Sequence, residues 1–452
     1  MKKALQKKTL AIALSTVIAG AAMSAGHMPA KGSGDYHWDS LTPFTKMDLS
    51  GETVTITGPW LAPENAIFQG ILSYFADATG AKVEYSGSDS FEQQIVIDTQ
   101  AGTPPNIAVF PQPGLAADLA SRGLLSPVDK KVRDSVKKNY AAADSWIDLA
   151  TYADKSGKDQ FYGVFFRVDL KSLVWYSPDN FEDNGYEVPE SMEELIALSD
   201  KMVKDGNTPW CIGLGSGAAT GWPATDWVED MMLRTQSPAD YDRWVSNDLK
   251  FTDPKVVGAI EAFGQFALNE KYVAGGAAAV STTDFRDSPK GLFSVPADCM
   301  MHRQASFIPA FFPEGTVVGE DADFFYFPAY ASKKLGKPVL GAGTVVTVTK
   351  PNKATDALME YLTTPLAHEL WMAKGGFLTA HKGVNVDLYL NETLKRQGDI
   401  LLNATTFRFD GSDLMPGAVG AGSFWTGMVD YTSGVSAEEV AEEIQDSWDA
   451  VK

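Results

Sequence analysis

Cysteine, histidine and basic residues are all scarce in this chain. Its 452 residues include two Cys, five His, and 38 Lys plus Arg against 58 Asp plus Glu. Two Cys cannot build a zinc cage and the scattered His form no H-E-x-x-H pair, so neither a metal nor a cofactor is expected. The formal net charge of −20 is spread along the chain and not gathered in a tail. That excludes nucleic acid or an anionic membrane as partner, because both require a basic face. Long apolar runs are also missing, apart from Thr9 to Ala22. This run follows Lys2, Lys3, Lys7 and Lys8 and precedes small residues at Ser24 to Gly26. The pattern is that of a secretory signal peptide over residues 1–25, too short to span a bilayer and with no Cys after it to take a lipid. The mature chain is therefore expected free in a bacterial periplasm. In an oxidising compartment the lone pair Cys211 and Cys299 reads as a disulfide within one domain, the alternative being two small buried thiols.

What the chain does have is length and an unusual long extended segment. Its size exceeds one ordinary core and suggests two domains of roughly 200 residues each. Phe161 to Tyr176, FYGVFFRVDLKSLVWY, is rich in β-formers yet carries Arg167 and Asp169 near its middle. Desolvating an unpaired charge is costly, so this segment is expected to leave one domain, cross open space and enter the second. Phe324 to Pro328 and Lys337 to Thr349 form the return. Two crossings make each domain discontinuous and leave a cleft between them.

Along the chain, residues 27–49 read as a loosely ordered lead-in. Strands are expected at 53–57, 82–85 and 106–110, alternating with helices at 64–78 and 90–102, which predicts a parallel, doubly wound sheet. Ligands sit beyond the carboxyl ends of such strands, so the loops with Trp60, Ser88 and Gln112 should face one crevice. In the second block, Ser191 and Glu194 form a capping box. A strand is expected at 210–214, helices to about 268, a short helix at 283–290, a strand at 292–296 and a loop at 298–304, repeating the β and α alternation. After the return strand come helices at 354–362, from 365 to Gly375-Gly376 and at 391–403, a loop at 415–422, and a last helix capped by Ser436 and Glu439.

Several stretches carry a resemblance. GTPPNIAVF, YGVFF before the crossing strand, GAGTVVTVTK on the return, KGGFL at a helix end and the late MPGAVGAGSFW resemble the family 1 extracellular solute-binding proteins of ABC importers, which include maltose-binding relatives. TPWCIGLGSGAATGWPATDWVED and DCMMHRQASF resemble more narrowly its α-glucoside-binding members. Asn106 departs from the family, which often has Asp there; a loop cap is the feature most affected. The resemblance implies an α/β, type II periplasmic binding protein fold: two discontinuous doubly wound lobes joined by a hinge, with extra C-terminal helices. The lobes are expected at 37–165 with 329–385 and at 166–328 with 386–452. It implies a monomer, not an enzyme, that closes on an α-glucoside such as maltose, sucrose or trehalose and delivers it to an ABC permease with a cytoplasmic ATPase.

Aromatic faces can cover sugar C–H groups while polar side chains bond the hydroxyl rim, which selects the candidate ligand residues. Trp60 and Trp222 lie in expected loops and Trp425 follows one, with core packing as the competing role; Trp425 aligns with a sugar-stacking Trp of the maltose-binding relatives. Asp169 falls where the family has a ligand-contacting carboxylate, and an ion pair with Arg167 or Lys171 is its alternative. Glu64 and Asn65 open a helix, where the dipole also favours an acid. Ser88 and Gln112 end strands, Asp226 follows Trp222, Arg303 follows His302 in a loop, and Gly343 lies on the return. The run Gly213 to Ala218 fits a dinucleotide pattern, but Gly221 and Pro223 break the helix it needs; Gly215 is instead expected to bring backbone N–H groups to sugar hydroxyls. Two other readings remain open, a different or sulfonated sugar on the same fold, and a secreted glycoside hydrolase with two facing carboxylates.

Overall fold

The computed structural model describes residues 28–141, 143–403 and 405–451. The expected signal peptide lies outside the described residues. Among these, no helix is long and apolar enough to cross a membrane.

The first lobe is built as its alternation dictates. Strands β1 (Thr53–Gly58), β2 (Lys82–Gly87) and β3 (Ile107–Phe110) pair in parallel, with the helices Glu64–Thr79 and Phe91–Gln100 between them. The first helix buries Ile67, Phe68, Ile71, Leu72 and Phe75 and ends at Gly80, whose φ of 77° caps it without a Cβ penalty. Each fully buried side chain of this size contributes about 1.5–3 kcal/mol. A hairpin, β4 (Thr151–Ala153) and β5 (Asp159–Phe161), leads into β6 (Gly163–Leu170).

The crossing is direct. Strand β6 belongs to the first sheet, and after Lys171 and Ser172 the chain enters β7 (Leu173–Tyr176), flanked in the second lobe by β8 (Met301–Arg303) and β9 (Asp323–Tyr326). It does not cross open space as expected. Arg167 and Asp169 are 6% and 5% exposed, and their pairing with each other offsets the desolvation that argued against burial. The return, β10 (Pro338–Val348), pairs antiparallel with both β6 and β3, and its start pairs parallel with β11 (Thr406–Phe409). The sheet is therefore mixed and not wholly parallel, because β10 comes back from the other lobe running against β3. A one-residue irregularity between Thr344 and Val345 interrupts the β10–β6 register.

The second lobe is more helical than its expected alternation. Its sheet is the three short antiparallel strands β8–β7–β9, and its core is made by Trp222–Thr235 and Pro254–Ala267 with the C-terminal Phe424–Thr432 and Ala437–Asp449. The capping box at Ser191 is present and starts Met192–Asp205. The strand expected at 210–214 is absent: Trp210, Cys211 and Leu214 bond to three different segments, at Tyr272, Met301 and Val280, so no ladder forms. The helix and strand expected at 283–296 are replaced by one 3-10 turn, Ser288–Phe293, and the loop expected at 298–304 contains β8. The loop expected at 415–422 winds into a π turn, Val419–Ser423, and the lead-in holds two 3-10 turns that bury Leu41 and Phe44 in the first core. Cys211 and Cys299 form a disulfide with Cα atoms 5.4 Å apart. Asn106 caps the β1–β3 edge, accepting from Thr55 N and donating to Lys350 O, a pair of roles that an Asp could not fill together.

Candidate ligand-binding cleft

The period of two along a strand places Arg167, Asp169 and Lys171 on one face of the crossing segment. That face opens on a cleft whose empty space, counting the part open to solvent, is about 920 Å³. Beyond the ends of β1, β2 and β3 lie Trp60, Ser88 and Gln112, which converge on it as expected. Trp222, Asp226 and Trp425 line it from the second lobe and Glu64, Asp169 and Gly343 from the first lobe and the crossing strands.

Two charged groups stand along the crossing segment. Arg167 Nη1 bonds Glu64 Oε1 at 2.5 Å and its Nε bonds Asp169 Oδ2 at 3.1 Å. Its guanidinium lies 5.4 Å from the Trp60 ring centre, 5.5 Å from Phe307 and 5.6 Å from Trp371. Burial pushes the Glu64 and Asp169 carboxyls up, against the pull of Arg167; burial alone would lower Arg167, but the two acids hold it above its usual value. Asp169 keeps its second oxygen, Oδ1, buried and without a partner. Asp169 thus forms the ion pair with Arg167, one of its two expected roles, and it also lines the cleft.

Lys171 heads the second group. Its Nζ bonds Asp226 Oδ1 at 2.7 Å and also Asp410, and it sits 5.6 Å from the Trp222 ring centre. Burial would lower Lys171, but Asp226 and Asp410, with Asp413 and Glu229, raise it well above the ordinary range. Burial pushes Asp226 up to about 7 despite Lys171. Asp226, Glu229 and Asp410 come close enough to hold a cation, but the Lys171 ammonium already bonds two of them.

Three expected ligand residues, Asn65, Gly215 and Arg303, do not line the cleft. Arg303 lies behind Asp226, donating to its carbonyl oxygen at 2.9 Å and pairing with Asp230, because β8 turns this side chain toward the helix Trp222–Thr235. His302 is buried with Nδ1 2.8 Å from Cys211 O, and burial lowers it to about 4. Asn65 is partly buried on the helix beside Glu64 but off the cleft. Gly215 exchanges its N–H and C=O with Thr283 and Phe285, so its backbone serves the loop and not a sugar; neighbouring Ser216 lines the cleft instead. Trp60 is 2% exposed and packs edge-on against Phe68 and Trp371, so it serves the core as well as the wall. Trp222 begins a helix and is not in a loop; its entry needs Gly221, whose φ is 116° and whose absent Cβ would fall 2.2 Å from Trp425 O.

Sequence reasoning missed Phe285, Phe307, Phe311, Arg286, Glu92, Ser412 and Asp413, all of which line the cleft. Trp222 meets Phe285 edge-on at 4.9 Å, which completes an aromatic wall on the second lobe. Arg167 and Lys171 were read only as partners, although their alternation with Asp169 was a visible signal.

The model of the family described as bacterial extracellular solute-binding protein matches residues 58–368. The chain is 61% identical over 419 residues to the alpha-glucosides-binding periplasmic protein AglE of Rhizobium meliloti (strain 1021), covering 92% of each chain. The protein belongs to the bacterial extracellular solute-binding family. A second relative of this solute-binding protein is the osmoprotective compounds-binding protein GgtB of Synechocystis sp., 41% identical over 90% of this chain and 94% of GgtB. Among solved structures it resembles the solute receptor AcbH, described as preferring b-D-galactopyranose, at a TM-score of 0.76, with 20% identity over 89% of this chain and all (100%) of that one. It also resembles maltose-bound T. maritima MalE3, at 0.69 with 14% identity, covering 89% and 100% of the two chains. These two likenesses speak for the type II binding-protein fold.

Proposed function

We propose that this solute-binding protein captures α-glucosides of the maltose, sucrose and trehalose type in the cleft and delivers them to an ABC permease with a cytoplasmic ATPase. The observation that carries the reading is Asp169, an acceptor with one oxygen unpartnered, held by Arg167 within reach of the cleft and its aromatic wall. The name of the relative AglE supports the substrate class. The ligand contacts we assign are Trp60, Glu64, Ser88, Gln112, Asp169, Trp222, Asp226, Gly343 and Trp425. The lobes are taken as 37–165 with 329–385 and 166–328 with 386–452, and most of each apolar cluster supports this: one gathers residues between Leu41 and Phe165 with Val345 to Phe377, the other Val174 to Phe327 with Met415 to Trp448, whereas Phe166 and Phe409 pack in the first cluster and Leu340 in the second, across these bounds. Signal-peptide cleavage near residue 25, a periplasmic location, a monomeric state and the absence of catalysis belong to the same reading. Titration calorimetry tests it. One site per chain of roughly micromolar affinity, about −8 kcal/mol, is expected with at least one of the three sugars. No heat with any α-glucoside would remove the assignment, and sustained turnover of a chromogenic α-glucoside would make the protein a hydrolase.

A further inference from the structure

The charges lining the cleft are unevenly matched. Arg167 is paired with Glu64 and Asp169, Lys171 with Asp226 and Asp410, and Arg286 with Asp284. The lining acids Asp89 and Glu92 from the first lobe and Asp413 from the second are different. Among the described residues none of these three forms an ion pair, and Glu92 lies within the electrostatic reach of both Asp89 and Asp413. Burial pushes Glu92 up to about 7, with Asp89 adding to the effect and the Gln112 amide opposing it, and burial together with Asp410 raises Asp413 well above the ordinary range, so a cation placed beside them would favour their ionised forms.

Helix N-termini account for some of this acid. Glu92 sits in the first turn of Phe91–Gln100 and Asp413 in that of Gly411–Leu414, where the dipole favours a carboxylate. That field does not account for Gln112. Its side chain is only 5% exposed, lines the cleft beside Glu92, and leaves Oε1 without a hydrogen-bond partner. An amide oxygen and a carboxylate only accept, so this part of the cleft presents acceptors from both lobes, and the nearby cation, Lys171, is already bonded to Asp226 and Asp410.

We propose that Glu92, Asp413 and Gln112 form a cation subsite, and that the protein prefers α-glucosides bearing an ammonium group over neutral ones and excludes carboxylated or sulfonated ones. The inference rests on the reading of the cleft as an α-glucoside site. An ammonium brings three donors and no acceptor, and its bonds to carboxylates are the stronger, charge-assisted kind. A sulfonate or carboxylate would meet these acids, while Arg167, Lys171 and Arg286 are already neutralised and Arg303 is buried behind Asp226.

Calorimetry at neutral pH and low salt with trehalose, 2-amino-2-deoxytrehalose, 6-amino-6-deoxytrehalose and trehalose 6-carboxylate tests this. At least one amine should bind about ten-fold tighter than trehalose and the carboxylate about ten-fold weaker, each a difference of about 1.4 kcal/mol. The amine's advantage should shrink as salt rises and shrink again in the Glu92→Gln variant. The salt series needs only the wild-type protein, so it stands if the variant fails to fold. Trehalose binding with neither amine tighter, or with the carboxylate equally tight, overturns this inference alone. No heat with any sugar, charged or neutral, overturns the α-glucoside reading and this inference with it.

Discussion

Arg167 and Lys171 lie four residues apart on one face of the same crossing segment, yet they end in different kinds of surroundings. Arg167 is bonded to two acids and covered by rings, and the acid it orients, Asp169, still offers an oxygen to the cleft. Lys171 is an ammonium among four carboxylates, Asp226, Asp410, Asp413 and Glu229, and it ties the helix Trp222–Thr235 to the C-terminal segment at Asp410. The contrast teaches that a buried charge on a crossing strand is not by itself a sign of a binding site. Both groups leave buried acceptors without a hydrogen-bond partner, Asp169 Oδ1 in the first and Asp226 Oδ2 and Glu229 Oε2 in the second. What separates the two is what the cation holds: Arg167 orients an acid on its own segment, and Lys171 ties two segments of one lobe together.

The largest test of that contrast is Lys171→Met. Removing the cation leaves several buried acids uncompensated and should cost about 3–5 kcal/mol of unfolding free energy, read from urea denaturation. A loss under 1 kcal/mol would deny the second group its structural role. Replacing both Cys211 and Cys299 by Ala should cost about 2–4 kcal/mol, as the bridge closes a long loop in that same lobe. The Asp169→Asn variant sharpens the other side. It should weaken sugar binding by about ten- to a hundred-fold, the range for a hydrogen bond to a charged group, while stability changes less than in Lys171→Met. Equal effects of the two variants on stability would erase the distinction. Trp425→Ala should weaken binding about ten-fold by calorimetry, in line with the loss of one aromatic face.

The smallest expected effect is in pH. Asp226 holds its proton to about 7 in the folded protein, whereas an unfolded Asp releases it near 4. Between those values the native state binds more protons, so this group's contribution to stability is full below the lower pH and is lost as pH rises through the higher one. His302 works the other way. Lowered to about 4 when folded, against about 6.5 unfolded, it adds stability as pH rises across that interval. Denaturation midpoints between pH 4 and 7 should therefore fall less steeply for Asp226→Asn than for the parent.

The first lobe was legible because each of its signals is local. Alternation marked β1 to β3, Gly80 stopped a helix, and strand-end loops brought Trp60, Ser88 and Gln112 together without knowledge of distant contacts. The second lobe was harder for the opposite reason. Strands β8 and β9 have three and four residues and are set by pairing with β7, so nothing within Met301–Arg303 separates strand from loop. Arg303 was misplaced for that reason, since its direction depends on which neighbour its strand takes. The cleft residues on 285–311 and at Ser412 and Asp413 come from short turns without periodicity, which a sequence pattern cannot aim.

Strand β10 gives its first residues to β11 and its last to β3, with β6 alongside it for most of its length. The two halves of the molecule thus share a single leaf of backbone. A bulge bends a strand and raises its local twist, so the irregularity at Thr344 and Val345 is where this shared leaf departs most from an even weave.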